Sequence, residues 1–299
     1  MGEGGVIVRP REEVAAVLAE LDRMPGLDGV KRQIRSLVAR LEHEKALDVA
    51  GVASKEPMGL NFVLLGGAGT GKTTVARLLV RILYALGLLD RGHLVETDRS
   101  GLVSEHIGGT APKTNAVVDS AIGGGLFVDE AYAMMPTGQG HDYAGEAVAT
   151  LLKRIEDDRG KFACVVAGYT RPMKQWLASN PGLASRFTHY IDFEDYEPAV
   201  LLSILETMLT DRSYKLAPEA QFALRAYVGE LYATRDEKWG NARAMRNLVD
   251  AVVDCQAAQL AGQQTDTETR LLITAATVAD AQSKFSAQLA SARGMAASI

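Results

Sequence analysis

Apolar residues recur at helical spacing in PREEVAAVLAELDRM (10–24) and, after the interruption PGLDGV, through VKRQIRSLVARLEHEKALDVA (30–50). The acids of the first segment sit early, where the positive end of a helix favours them. GVASKEPM is a loop, and the first ten residues read as flexible. GLNFVLLGG (59–67) is a short apolar run closed by glycines, the pattern of a strand buried on both faces. From there the two periods alternate. TTVARLLVRILYALGLL is a helix, GHLVETD a strand, KTNAVVDSAIGG a helix, GLFVDEA a strand and AGEAVATLLKRIEDDRG a helix; FACVVAGY, RPMKQWLASN and THYIDFEDY continue as strand, helix and strand. This alternation predicts an α/β fold, a parallel sheet with helices on both faces.

Beyond EPAV, near residue 198, strand signals almost vanish. AVLLSILETMLTDR, APEAQFALRAYVGELYATR and NARAMRNLVDAVVDCQAAQLAG read as three successive helices; LLITAATVADAQSKF adds a strand, a turn and a helix. The predicted organisation is an N-terminal extension with a helix over 1–25, an α/β domain over 26–196, and a smaller all-α domain over 197–299 whose small-residue end frays.

Gly66-Gly67-Ala68-Gly69-Thr70-Gly71-Lys72-Thr73 fits G-x-x-x-x-G-K-[ST], and it sits where that motif works, between an apolar strand and a helical pattern. The glycines let backbone N–H groups curl round phosphate oxygens at the positive end of the next helix. Lys72 reaches the β- and γ-phosphates of ATP, and the Thr73 hydroxyl holds Mg²⁺. Such a loop needs a carboxylate for the metal and another for water. GLFVDEA supplies both 57 residues after Lys72: Asp129 for Mg²⁺ and Glu130 to polarise the attacking water. The pair of motifs predicts nucleotide hydrolysis.

Two other arginine positions suit phosphate chemistry. Arg186, in NPGLASRFTHYIDF, either stabilises a transferring γ-phosphoryl on a neighbouring subunit or pairs with a surface acid. Arg243 and Arg246 in GNARAMRNL either report the nucleotide to the helical domain or line a solvated helix face.

A net charge of -5 gives no electrostatic reason to expect nucleic acid. The two cysteines, Cys164 and Cys255, lack metal-ligand spacing and suit a reducing compartment. No apolar run approaches the ~20 residues of a membrane span, and MGEGGVIVRPREE lacks the order of a secretory signal. The expectation is a cytoplasmic protein with no membrane insertion.

The ordered segments GGAGTGKTTVARLL, HIGGTAPKTNAVVDSA, GLFVDEAY, VVAGYTRPM, NPGLASRFTHYIDFEDY and NARAMRN resemble an AAA+ ATPase. More narrowly, they resemble the group of the CbbX-type (red-type) Rubisco activases, stage V sporulation protein K and the EccA ATPases of type VII secretion. The resemblance implies ATP and Mg²⁺ as cofactors and a homo-oligomeric ring, a hexamer, acting on a protein client. It implies a helical lid after the α/β domain, nucleotide contacts from Gly66 through Thr74, and a trans arginine finger at Arg186. Arg243 becomes the lid's sensor arginine, and Leu27 to Val30 lie near the adenine. His106, Ile107 and Gly108 align with the pore loop that grips substrate polypeptide. Two departures stand out: His106 replaces the tyrosine usual in the activases, and Ala167-Gly168-Tyr169 occupies the place of a sensor asparagine. Rubisco is the most concrete client; a secretion or other protein assembly is the alternative. A scaffold or switch that assembles on ATP without threading is the reading from another class.

Overall fold

The protein is described by a computed structural model covering residues 12–52, 59–135, 142–236 and 239–296. The first ten residues, much of the GVASKEPM loop and the last three residues lie outside these. The chain divides into two compact units: one formed by the chain up to Gly66 together with Gly71–Phe193, the other by Gly67–Thr70 together with the chain from Glu194 onward.

The first unit begins with helices α1 (Val14–Arg23) and α2 (Asp28–Val49), followed by strand β1 (Asn61–Gly66) and helix α3 (Lys72–Ala85). Strand β2 (Leu94–Thr97), helices α4 (Arg99–Leu102) and α5 (Thr110–Ala121), strand β3 (Gly125–Val128) and helix α6 (Ala144–Asp157) come next. Strand β4 (Ala163–Gly168), helices α7 (Thr170–Ala178) and α8 (Pro181–Arg186) and strand β5 (His189–Phe193) complete it. The five strands are parallel in the order β2-β3-β4-β1-β5.

Burial follows that order. Every residue of β1, β3 and β4 is buried, as their unbroken apolar runs require between two helical layers. Edge strand β5 alternates, burying Ile191 and Phe193 and exposing Tyr190 and Asp192. In the core on one face, Val63, Val128 and Val166 from the strands join Leu151, Trp176 and Phe187 from the helices and loops. Helix α2 buries Val30, Ile34, Val38 and Leu41, a stripe at helical period. Helix α1 buries Val17 and Leu21, and Arg81 of α3 pairs with Glu12 and Glu20.

Two local features were not legible in the pattern. Helix α5 begins at Thr110, three residues before the Lys113 start suggested by periodicity, and the short helix α4 precedes it. Asp98 caps α4 by accepting the Gly101 N–H.

The second unit contains α9 (Pro198–Asp211), β6 (Lys215–Leu216), α10 (Pro218–Ala233) and α11 (Ala242–Gln259), then α12 (Thr267–Leu271), β7 (Leu272–Ile273) and α13 (Ala275–Ala296). Proline opens both α9 and α10, where its missing N–H has no helical partner to lose. Helical structure continues to Ala296 in the segment whose composition suggests fraying. A two-strand parallel pair, β6 with β7, joins the helices, and buried Gln256 ties it in by donating to Leu272 O while accepting from Thr277 Oγ1. Among the described residues, no helix is long and apolar enough to cross a membrane.

Trp176 is among the largest fully buried side chains and packs 6.5 Å from the Phe187 ring centroid. Trp176→Ala is expected to lower unfolding stability by about 3–5 kcal/mol; urea titration followed by far-UV circular dichroism checks this.

Candidate nucleotide site

Strand β1 delivers the glycine-rich segment to the carboxyl edge of the sheet. At its last residue, Gly66, an added Cβ would stand 2.5 Å from Phe193 O of β5, so a side chain there would force the two strands apart. Helix α3 then starts at Lys72 with Gly71 as its cap residue and no side-chain cap hydrogen bond, and a helix N-terminus favours an anion. Lys72 Nζ donates to Gly66 O at 3.0 Å. Thr73 is half-buried and Thr74 exposed on the same turn. Register places Val63, Val166 and Val128 side by side across β1, β4 and β3. Asp129 therefore stands level with Ala167 and Leu64, two positions short of Gly66, at the same edge as the loop.

Asp129 and Glu130 follow β3 in a turn rather than in the strand itself. Glu130 has φ 47° and ψ 42°, a left-handed conformation unusual for a non-glycine residue. Asp129 Oδ1 accepts the Glu130 N–H at 2.9 Å and so stabilises the turn. The Tyr132 hydroxyl donates to the Glu130 carboxylate, and burial, with the Glu130 charge beside it, pushes that phenol up to about 12. It remains a donor at neutral pH. The Tyr132 ring also lies 6.3 Å from that of Tyr169, and a Cβ on Gly168 would meet it at 2.7 Å. The Ala-Gly-Tyr strand end thus contacts Glu130's partner, a link that sequence spacing did not reveal.

Asp129 and the Thr73 hydroxyl provide hard oxygen donors at one sheet edge, the ligand chemistry that suits Mg²⁺. Leu27, at the start of α2, has φ 60°, and Val30 points into the core at 2% exposure. In the second unit, Arg243 and Arg246 are both exposed on the first turns of α11. The Arg243 backbone packs against Gly69, where an added Cβ would come within 2.8 Å of its nitrogen.

The segment between α4 and α5 is fastened at both ends. The Ser104 N–H donates to buried Thr110 Oγ1 and buried Thr114 Oγ1 donates to Leu102 O, both at 3.1 Å. Lys113 Nζ reaches back to Ser100 O and Val103 O. At the tip, His106 N–H donates to Ser104 Oγ and Gly109 N–H to His106 O. Gly108 takes φ +74°, which glycine adopts without strain. His106 and Gly108 are exposed, and Ile107 is 81% exposed.

Arg186 occupies the opposite edge of the sheet. Phe62 pairs with His189, so Arg186 precedes the amino end of β5, far along the strands from the phosphate-loop edge. Its carbonyl accepts from Asn61 Nδ2 at 3.1 Å, and its guanidinium pairs with Glu156 at 3.2 Å. It lines a cavity of about 1000 Å³ with Arg40, Lys45, Glu156, Arg159 and His189.

Comparisons agree with this arrangement. The ATPase family associated with various cellular activities (AAA) matches residues 62–195, and the AAA lid domain matches residues 197–288. The chain belongs to the AAA ATPase family; it binds nucleotide and hydrolyses ATP. Within the family it is CbbX-like. It is 43% identical over 235 residues to the protein CbbX of Cereibacter sphaeroides, covering 78% of this chain and 75% of that protein. The chloroplastic ribulose bisphosphate carboxylase/oxygenase activase of Cyanidioschyzon merolae is 40% identical over 239 residues, 80% of each chain. Among solved structures, the FIGL-1 AAA domain in complex with ADP superposes with a TM-score of 0.61 at 17% identity, over 90% of this chain and 88% of that one. That likeness shows a common fold.

His189 supplies a pH-dependent property of the arginine edge. Its ring lies over Phe62 at 5.2 Å, and Arg40 Nη2 approaches within 3.2 Å. Burial, and then the Arg40 charge, hold its pKa below the ordinary histidine value despite an opposing pull from Glu44. The unfolded chain therefore binds the proton more readily, and stability falls as pH drops below about 6.5. The unfolding midpoint is expected to fall between about pH 7 and 5.5 in the native protein and to fall less in His189→Gln.

Proposed function

We propose that this AAA ATPase assembles into a homo-oligomeric ring, a hexamer, and couples ATP hydrolysis to remodelling of a protein client drawn past the loop that carries His106, Ile107 and Gly108. The observation that carries this reading is Ile107: an apolar side chain left 81% exposed at the tip of a loop whose two ends are pinned by buried threonines. An anchored loop transmits displacement, and an apolar tip grips polypeptide without demanding a sequence. Rubisco is the client in this reading, as the name of the activase from Cyanidioschyzon merolae suggests.

The residue roles follow from chemistry and placement. Backbone N–H groups from Gly66 through Thr74 cradle the phosphates, and Lys72 adds positive charge. Thr73 and Asp129 hold Mg²⁺, which when bound neutralises charge on the β- and γ-phosphates. Glu130 takes a proton from the attacking water, with the Tyr132 phenol orienting its carboxylate. Leu27 and Val30 border the base, and Arg243 reports the nucleotide to the lid. Arg186, at the far edge from its own phosphate loop, serves the nucleotide of the next subunit.

Mixing experiments test the trans assignment. Arg186→Ala is expected to retain ATP binding and lose on the order of 10³-fold in hydrolysis. Lys72→Ala is expected to lose binding. Mixed in equal amounts, the two variants should regain turnover, because some interfaces then pair an intact loop with an intact arginine. Failure to regain any turnover, in assemblies shown to be mixed, removes Arg186 from the trans role.

The client assignment is tested with Rubisco inhibited by a tight-binding sugar phosphate. The native protein and ATP should restore carboxylation, whereas Ile107→Ser should not. No recovery with the native protein rejects Rubisco as the client; full recovery with Ile107→Ser rejects the loop. Negligible and equal ATP turnover in the native protein and Glu130→Gln would favour a scaffold instead.

A further inference from the structure

Five successive carbonyls of the phosphate loop each accept a hydrogen bond. Gly66 O accepts from Lys72 Nζ and Gly67 O from Thr70 Oγ1, both at 3.0 Å. The next three are held by Tyr196 and by the residues that open α11. Asn241 Nδ2 donates to Ala68 O at 3.2 Å, the Ala242 N–H to Gly69 O at 3.2 Å, and the Tyr196 hydroxyl to Thr70 O at 3.0 Å. These donors and Gly67–Thr70 belong to one compact unit of the chain.

Peptide geometry gives these bonds a consequence. The peptide bonds among the described residues are trans, so each carbonyl points opposite to the N–H that follows it. Fixing the carbonyls of Ala68, Gly69 and Thr70 therefore fixes the N–H directions of Gly69, Thr70 and Gly71, aimed away from the lid residues.

Asn241 is suited to this task by its side chain and costly in its backbone. It is fully buried, and its amide is used at both ends: Nδ2 also donates to Asp195 Oδ1 at 2.8 Å, and Oδ1 accepts the Tyr196 N–H at 3.0 Å. Aspartate has no hydrogens to donate there, and an apolar residue makes none of the three bonds. The backbone stands at φ 46° and ψ -124°, on the side of the map where glycine is the easy residue. Burial pushes the Tyr196 phenol up to about 12, so it too remains a donor at neutral pH.

We propose that Asn241, seconded by Tyr196, is a positioning residue of the ATPase: it holds the phosphate-loop tip in the shape that presents its N–H groups to phosphate. The consequence is that order in the loop depends on Tyr196 and on the residue that opens α11. The inference rests on reading Gly66–Thr74 as the phosphate loop, and Lys72→Ala tests that reading separately.

The experiment uses the full chain and measures three quantities: affinity for ADP, affinity for adenosine by competition, and the unfolding midpoint without nucleotide. Asn241→Gly removes the amide while suiting the backbone, and Tyr196→Phe removes a single hydroxyl. Tyr196→Phe is expected to weaken ADP roughly twofold to tenfold, the range for one lost hydrogen bond. Asn241→Gly is expected to weaken it by about tenfold or more. Adenosine affinity should hold in both, because the loop serves the phosphates and not the nucleoside. Wild-type ADP affinity in Asn241→Gly overturns the proposal, as does an equal loss for ADP and adenosine, which marks a merely structural role. If Lys72→Ala keeps full ADP affinity, the phosphate-loop reading fails and the proposal fails with it.

Discussion

One strand sets the geometry on which the site depends. β1 lies between β4 and β5, buried along its whole length, and both of its ends are used. Its carboxyl end becomes the phosphate loop. Its amino end, Asn61, holds the Arg186 carbonyl. Five steps along the strand at about 3.3 Å each separate the two by roughly 16 Å, farther than an arginine side chain reaches. A single subunit therefore cannot bring Arg186 to its own loop without breaking the sheet. The proposal that Arg186 serves a neighbouring subunit is compatible with this separation.

The candidate phosphate-loop and carboxylate motifs are legible in the sequence because there residue type and chemistry nearly coincide. A run such as Gly69-Thr70-Gly71-Lys72 after NFVLLG has few other uses, and the alternation of strand and helix is carried by apolar periodicity alone. What stayed hidden is held by residues distant in the chain. Tyr132 and Tyr169 meet across β3 and β4, and Tyr196 and Asn241 reach Thr70 and Ala68 from more than a hundred positions away. No local period encodes such pairs. The place of a sensor asparagine is a related case: the Ala167-Gly168-Tyr169 strand end there packs on Tyr132, whose phenol bonds Glu130. The early start of α5 was hidden for another reason. Thr110 and Thr114 look like polar surface in the sequence, yet both are buried as anchors of the loop before them.

Loop and tip divide the labour around Ile107. Gly108 and Gly109 give the backbone its turn, while the threonine anchors and Lys113 remove most of its freedom. The exposed isoleucine thus sits at the tip of a loop fastened at both ends, as the proposed grip on a client would need. His106 beside it bonds to Ser104 through its backbone N–H. In the reading proposed above, a histidine in place of the usual tyrosine offers a client less apolar area.

The resting state of Arg186 is consistent with a residue meant to leave its partner. Its pairing with Glu156 involves side chains 31% and 53% exposed, a setting in which ion pairs contribute little, about 0–1 kcal/mol. Glu156 keeps the guanidinium from wandering without binding it tightly. A phosphoryl group carrying more charge in a drier site outcompetes such a carboxylate readily. The Asn61 bond, by contrast, fixes the backbone beneath the arginine and does not depend on where the side chain goes. Main chain held and side chain loosely parked suits the proposed trans role, in which assembly would have only a weak pair to break before the guanidinium met a neighbouring nucleotide.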